Sequence, residues 1–273
     1  MAYKDLLYDK SERVATITFN RPDRMNAWTR RMDGELREAM LDADKDPDVG
    51  AVIVTGAGRA YCAGADLGGL SKIADGSESV DDGRRAESEF AEKLGPNYRG
   101  RFSWLLALHK PVIAAINGAC VGMGFTHSLY FDIRIASERA RMGLIFVRRG
   151  LAIEHGSSWM LPRIVGVANA VDLAVTGRLV DAQEALRMGL VSRVVPPEQL
   201  IPAARELAKE IATQCSPLGV AHAKRLIYGH LFTDLATAMA EEEESIGVMT
   251  RSEDFKEGVK AFLEKRAPRF AGR

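Results

Sequence analysis

Two short runs constrain this chain more than any other feature. AVIVTG at 51–56 and PVIAAI at 111–116 carry almost no polar side chain, and each leads straight into a glycine-rich loop. A strand with one wet face alternates apolar and polar residues. A run that is apolar at every position belongs in a sheet covered on both faces, most often a parallel one. The two loops are GAGRAYCAGADL after the first run and NGACVGMGF after the second.

The remaining segments fit around these strands. LLYDK and VATITF read as a hairpin turning at Ser11, Glu12 and Arg13. NRPDRMNA breaks the pattern, and Met32, Leu36, Met40 and Ala43 then predict a helix from about Thr29 to Asp44. A polar region around GSESVDD leads into a helical stretch to about Leu94, interrupted at Gly95-Pro96, with helix resuming through RFSWLLALH. The second loop opens a helix to about Tyr130; DIRIAS and SRVVP are further strands. Beyond Gly156 the pattern is mainly helical, with Asp181/Glu184 and Thr250/Glu253 as capping boxes. Strand, loop and helix in repetition predict an α/β fold, with a core over 1–196 and a helical region over 197–273.

Composition excludes several classes. Lys plus Arg and Asp plus Glu both number 37, so nothing favours a nucleic-acid or anionic-membrane partner. The cysteines, Cys62, Cys120 and Cys215, are far apart and odd in number, which predicts reduced thiols and no metal site. The first residues lack the apolar run of a signal peptide, and no stretch approaches the roughly 20 apolar residues of a membrane helix. The expectation is a soluble cytoplasmic protein.

The glycine loops admit two readings. They could serve tight turns alone, or they could let backbone approach a ligand at the carboxyl ends of the strands. In the second reading two backbone N–H groups converge on one oxygen, as in an oxyanion hole. A dinucleotide site is disfavoured: Tyr61 stands where GxGxxG needs its last glycine, and no phosphate-binding GxxxxGK[ST] loop is present.

Six segments together resemble the crotonase superfamily, the enoyl-CoA hydratase and isomerase group. They are NRPDRMNA at 20–27, GAGRAYCAGADL at 56–67, KPVIAAINGACVGMG at 110–124, LPRIVG at 161–166, TGRLVDAQEALRMGLVSRVVP at 176–196 and FLEKRAPRF at 262–270. The resemblance implies a spiral of ββα units with a C-terminal helical trimerisation region. It also implies an acyl-CoA substrate, no cofactor beyond that CoA, and a homotrimer or a hexamer built as a dimer of trimers. The thioester carbonyl would accept hydrogen bonds from the N–H groups of Ala65 and Met123, the second of which is glycine in many relatives. Arg24, Met25 and Ala27, with Ala63, Ala65, Asp66 and Leu67, match segments that hold CoA; Phe262 and Lys265 match residues that reach a neighbouring subunit's CoA.

The family's hydratases use two glutamates, and the matching positions here are Thr126 and Phe146. Neither side chain can act as a carboxylate base, so the resemblance leaves them only substrate contacts or packing. Some isomerases of the superfamily instead carry a single acid in the segment matching GLAIEHGSSW, which here is Glu154. One carboxylate suffices to remove a proton α to a thioester and return it at the γ-carbon. The flanking Leu151, Ala152, Ile153, Trp159, Met160 and Leu161 suggest an acid held among apolar side chains, where its charged form is disfavoured. The rival reading is a solvated acid capping the next helix. His155 and His127 read as packed histidines, the glutamates at 241–244 as a solvated helix face, and Asp66 as a helix cap.

Overall fold

A computed structural model describes residues 3–66, 68, 69, 71, 75–77 and 95–273. The predicted helical stretch to Leu94, and Leu67 itself, lie outside the described residues. The chain builds two sheets. The larger contains β1 (Leu6–Ser11), β2 (Val14–Phe19), β3 (Ala51–Gly56), β5 (Val112–Ile116), β7 (Ile133–Ser137) and β10 (Arg193–Val195), neighbours in that order. The smaller contains β4 (Ala60–Cys62), β6 (Ala119–Val121), β8 (Arg141–Gly143) and β9 (Val180–Asp181). β1 and β2 form the expected antiparallel hairpin, turning through Glu12 and Arg13 at φ 51° and 64°. From β2 to β10 the large sheet is parallel.

Each turn of the chain gives one strand to each sheet. β3 is followed by β4, β5 by β6 and β7 by β8. The register is Val52 beside Val112 and Ile113 beside Ile133 in one sheet, and Ala60 beside Ala119 and Cys120 beside Met142 in the other. This is the expected α/β spiral of crotonase type.

Burial explains the two apolar runs. Val52 and Val54 of β3, with Val112, Ala114 and Ile116 of β5, face the main core. The intervening Ala51, Ile53, Ile113 and Ala115 face a second cluster, closed by Leu200, Ala204 and Ala208 of a helix spanning Leu200–Gln214. Both faces are therefore dry, and the one polar side chain, Thr55, is itself buried and donates to Ala115 O at 2.8 Å. Helix α1 (Arg30–Lys45) buries Met32, Leu36, Met40 and Ala43 as its spacing predicted, and its first turn is capped where Met32 N donates to Thr29 Oγ1 at 3.0 Å.

The helices that follow β8 are α3 (Ser157–Thr176), α4 (Ala182–Arg187), α5 (Leu200–Gln214), α6 (Pro217–Gly229), α7 (Leu235–Met249) and α8 (Glu253–Glu264); α2 (Met123–Ser128) lies between β6 and β7. α5 covers the large sheet through Leu200, Ala204 and Ala208. Asp181 caps α4 as expected, with Glu184 N donating to Asp181 Oδ1 at 2.8 Å. The Thr250/Glu253 cap is corrected: Ser252 caps α8, receiving Phe255 N at 3.0 Å, while Thr250 ends α7 and its hydroxyl turns back to Ile246 O. RFSWLLALH does not form an α-helix. A 3₁₀ segment at Ser103–Ala107 buries Trp104, Leu105 and Leu106 in succession, and Leu108 is already extended ahead of Pro111. Among the described residues no helix is long and apolar enough to cross a membrane.

Candidate active site

Three parallel strands of the small sheet, β4, β6 and β8, end side by side, so the segments after them share one end of the molecule. Ala63–Asp66 follows β4, Gly122–Met123 follows β6, and Leu144–Phe146 follows β8. The first two touch backbone to backbone. A Cβ on Gly64 would lie 3.2 Å from Val121 O, and one on Gly122 would lie 3.7 Å from the Cα of Gly64. Both glycines have positive φ, 99° and 55°, so they supply conformation as well as space.

This approach places Ala65 and Met123 in the wall of one cavity. Trp28 forms an isolated bridge with Ala65: Trp28 N donates to Gly64 O at 2.8 Å, and Asp66 N donates to Trp28 O at 3.0 Å. The bridge consumes the groups on either side of Ala65, and the Ala65 N–H has no partner among the described residues. Met123 is the first residue of α2, where a helical N–H has no partner within the helix. A cavity of about 110 Å³ is lined by Ala65, Met123, Phe146, Arg149, Leu151 and Glu154 among others. The two candidate oxyanion donors and the candidate base thus meet in one space.

Glu154 also lines a second, larger cavity of about 440 Å³, whose wall includes Leu106, Tyr130, Trp159, Met160 and Phe232. No other described residue lines both. Trp159 and Phe232 are stacked with centroids 5.4 Å apart and planes 1° apart, and the Arg163 guanidinium sits 3.2 Å over the Trp159 ring. The apolar enclosure expected around Glu154 is only partial. Met160 and Leu161 are buried, but Leu151 and Trp159 are 47% and 39% exposed, each beside the cavity it lines. The Glu154 side chain is 34% exposed and its Oε1 lies 3.2 Å from His155 Nε2.

The other sequence candidates fall in three places. Phe146 is 6% exposed and lines the smaller cavity. Thr126, one position from His127 on α2, is fully buried, lines neither cavity, and its hydroxyl has no partner among the described residues. His127 is buried among Phe19, Trp28, Phe102 and Phe131, and burial pushes its pKa down to about 3, so the ring is a neutral member of an aromatic cluster. Burial likewise raises the thiol of Cys62 to about 12.

Arg24, Met25 and Ala27 lie on the loop after β2, next to the segment that carries Ala65: Ala63 N donates to Met25 O at 3.1 Å. Two residues that were not singled out hold this loop in place. Asn26 is buried at φ 55°, donating from Nδ2 to Ala57 O and Ala60 O at 2.9 and 2.7 Å. Arg21 bonds to Ala27 O and pairs with Asp66 Oδ2 at 3.0 Å. Asp66 also accepts Gly68 N at 3.0 Å, the capping role expected of it; burial pushes its pKa up, but the hydrogen bonds from Arg21 and Gly68 and the charges of Arg21 and Arg24 together lower it. The one signal in the sequence was Asn26, whose residue type tolerates a left-handed backbone. Phe262 and Lys265 line neither cavity; Phe262 is 83% exposed on α8, and Lys265 ends that helix at φ 53°.

Comparison with known proteins identifies the family and the fold. A family model described as enoyl-CoA hydratase/isomerase matches residues 9–273. The 1,2-epoxyphenylacetyl-CoA isomerase of Escherichia coli is 35% identical over 260 residues, 95% of each chain. The crotonyl-CoA hydratase of Syntrophomonas wolfei is 34% identical over 271 residues, 99% of each. The crystal structure of an enoyl-CoA hydratase from Bacillus anthracis superposes with a TM-score of 0.87 at 34% identity, covering 99% of this chain and 100% of that one.

Proposed function

The chain belongs to the enoyl-CoA hydratase/isomerase family, and from that premise we propose that it is an enoyl-CoA isomerase in which Glu154 moves the proton. The thioester carbonyl oxygen accepts hydrogen bonds from Ala65 and Met123 in the smaller cavity. Glu154 removes a proton from Cα, the electrons of that bond pass into a dienolate, and the two N–H groups hold the oxygen's charge. Glu154 then returns the proton at Cγ, shifting the double bond by one position. Atoms and charge balance without any group beyond the CoA of the substrate.

The observation that carries this reading is the place of Glu154 in the wall of both cavities. An acyl group whose carbonyl occupies the smaller cavity and whose chain runs toward the larger one passes this carboxylate at Cα to Cγ. Hydration is supported by the names of several relatives. It calls for a base that activates water and an acid that protonates Cα. Thr126 and Phe146, at the positions matching the hydratase glutamates, supply neither.

A product assay separates the two reactions. Supplied with a 3-enoyl-CoA, the protein should form the 2-enoyl-CoA; supplied with trans-2-enoyl-CoA, it should accumulate little 3-hydroxyacyl-CoA. Rapid formation of the 3-hydroxy product overturns the isomerase reading. Binding without exchange of α-protons in heavy water overturns both readings.

The same proposal covers assembly. Phe262 and Leu263 on α8 are 83% and 74% exposed, and an apolar groove between α8 and the segment after it includes Phe255, Val259 and Phe270. Such a face is supporting ground for contact with another copy in a trimer or hexamer, with Phe262 and Lys265 close to a neighbour's CoA.

A further inference from the structure

The large cavity contains a second titratable side chain beside Glu154 that the proton shift does not consume. His155 Nε2 lies 3.2 Å from Glu154 Oε1, and the His155 side chain is only 12% exposed. Adjacent residues in ordinary helix or strand point apart. These two meet because the backbone turns through the left-handed region, with φ 54° at His155 and 74° at Gly156.

Several contacts hold that turn. Tyr130 Oη donates to His155 O at 2.7 Å. Ser157 N and Ser157 Oγ both donate to Glu154 O, at 3.1 and 2.8 Å. A Cβ on Gly156 would sit 2.2 Å from Tyr130 Oη, so glycine is required there. The imidazole lies edge-on to Phe102, with ring centroids 5.3 Å apart. Beyond it stands the ion pair of Asp33 on α1 with Arg101, at 3.3 Å. A non-glycine residue in this conformation is strained, and it persists where its surroundings over-determine it.

We propose that His155 is a positioning residue for Glu154, an inference that rests on Glu154 being the base. With acyl-CoA bound, Nε2–H would donate to Oε1, fixing the carboxylate and turning Oε2 toward Cα and Cγ. A glutamate that must take a proton at one carbon and return it at another gains from having one oxygen held.

The test compares His155→Asn, His155→Gln and Glu154→Gln in steady-state isomerisation of a 3-enoyl-CoA. Asparagine tolerates the left-handed backbone but falls short of Oε1; glutamine keeps a donor of suitable reach. His155→Asn should lower kcat about 10- to 100-fold, the range for a hydrogen bond to a charged group, with KM within about twofold. His155→Gln should recover most of the loss, and His155→Asn added to Glu154→Gln should cost nothing further. Should His155→Asn misfold, His155→Gln against His155→Leu gives the same comparison. A kcat unchanged by loss of the donor, or an equal loss in the Gln variant, overturns the role of His155 while leaving Glu154 as base. Near-normal turnover by Glu154→Gln overturns the reading beneath it.

Discussion

Gly64 and Gly122 meet backbone to backbone: a Cβ on Gly122 would stand 3.7 Å from the Cα of Gly64 and 3.8 Å from Ile145 Cγ1, ordinary contact distances, so the backbone conformation rather than lack of space calls for glycine there. Ala65 and Met123, which follow the two glycines, line one cavity. Gly122 has φ 55° and ψ −119°, a conformation that disfavours any side chain. Gly122→Ala should therefore cost about 1–3 kcal/mol of stability, read from denaturant unfolding. If the loops part, kcat should fall by about 10²–10³, the usual effect of losing an oxyanion donor. Unchanged turnover in a folded variant would separate the glycine contact from catalysis.

Thr126 gives a test in the opposite direction. Its buried hydroxyl has no partner among the described residues, and it lines neither cavity. Thr126→Val should stabilise the protein by roughly 1 kcal/mol, because an unmatched buried hydroxyl carries a desolvation cost. Turnover should stay within about twofold. A tenfold loss of kcat would mean that the hydroxyl reaches the substrate.

The aromatic cluster around His127 sets a pH dependence. Burial lowers the His127 pKa to about 3 from the ordinary histidine value of 6.5. Below pH 6.5 the unfolded chain therefore binds a proton that the fold excludes, and stability falls as pH falls. Between pH 7 and pH 5 this contributes a loss of about 2 kcal/mol. His127→Phe should remove that loss, so the difference in unfolding free energy between parent and variant should grow on acidification. A constant difference across that range would show that the ring takes up a proton in the fold.

The large sheet was legible in the sequence, since two-sided burial leaves the unmistakable mark of AVIVTG and PVIAAI. The small sheet was not. Its strands β4, β6 and β8 have three residues each, too few to show a period, and two of them lie inside the glycine loops. RFSWLLALH misled because its consecutive apolar residues suit a buried helix, whereas burial in all directions is met by a 3₁₀ segment. Glu154 stood out as an acid in apolar surroundings. Asn26 and Arg21 did not, because their partners lie on backbone and side chains that no local spacing encodes. His155 read as a packed ring; only the left-handed turn at 155–156 brings it to Glu154.

Phe262 is the point at which assembly and substrate binding should meet. Phe262→Asp places a charge on the exposed apolar face of α8. Light scattering should show a smaller assembly, and CoA affinity should weaken with it. A variant with the parent's mass and affinity would remove α8 from the interface.

The central claim is that Glu154 is the base, and the most direct measurement is isomerisation of a 3-enoyl-CoA by Glu154→Gln. The change keeps the side chain's shape and removes its basicity. kcat should fall by about 10²–10⁴, the usual contribution of a positioned general base. Acyl-CoA affinity should barely change, because the oxyanion donors are backbone groups. Turnover close to the parent's would contradict the account and place the base on another residue.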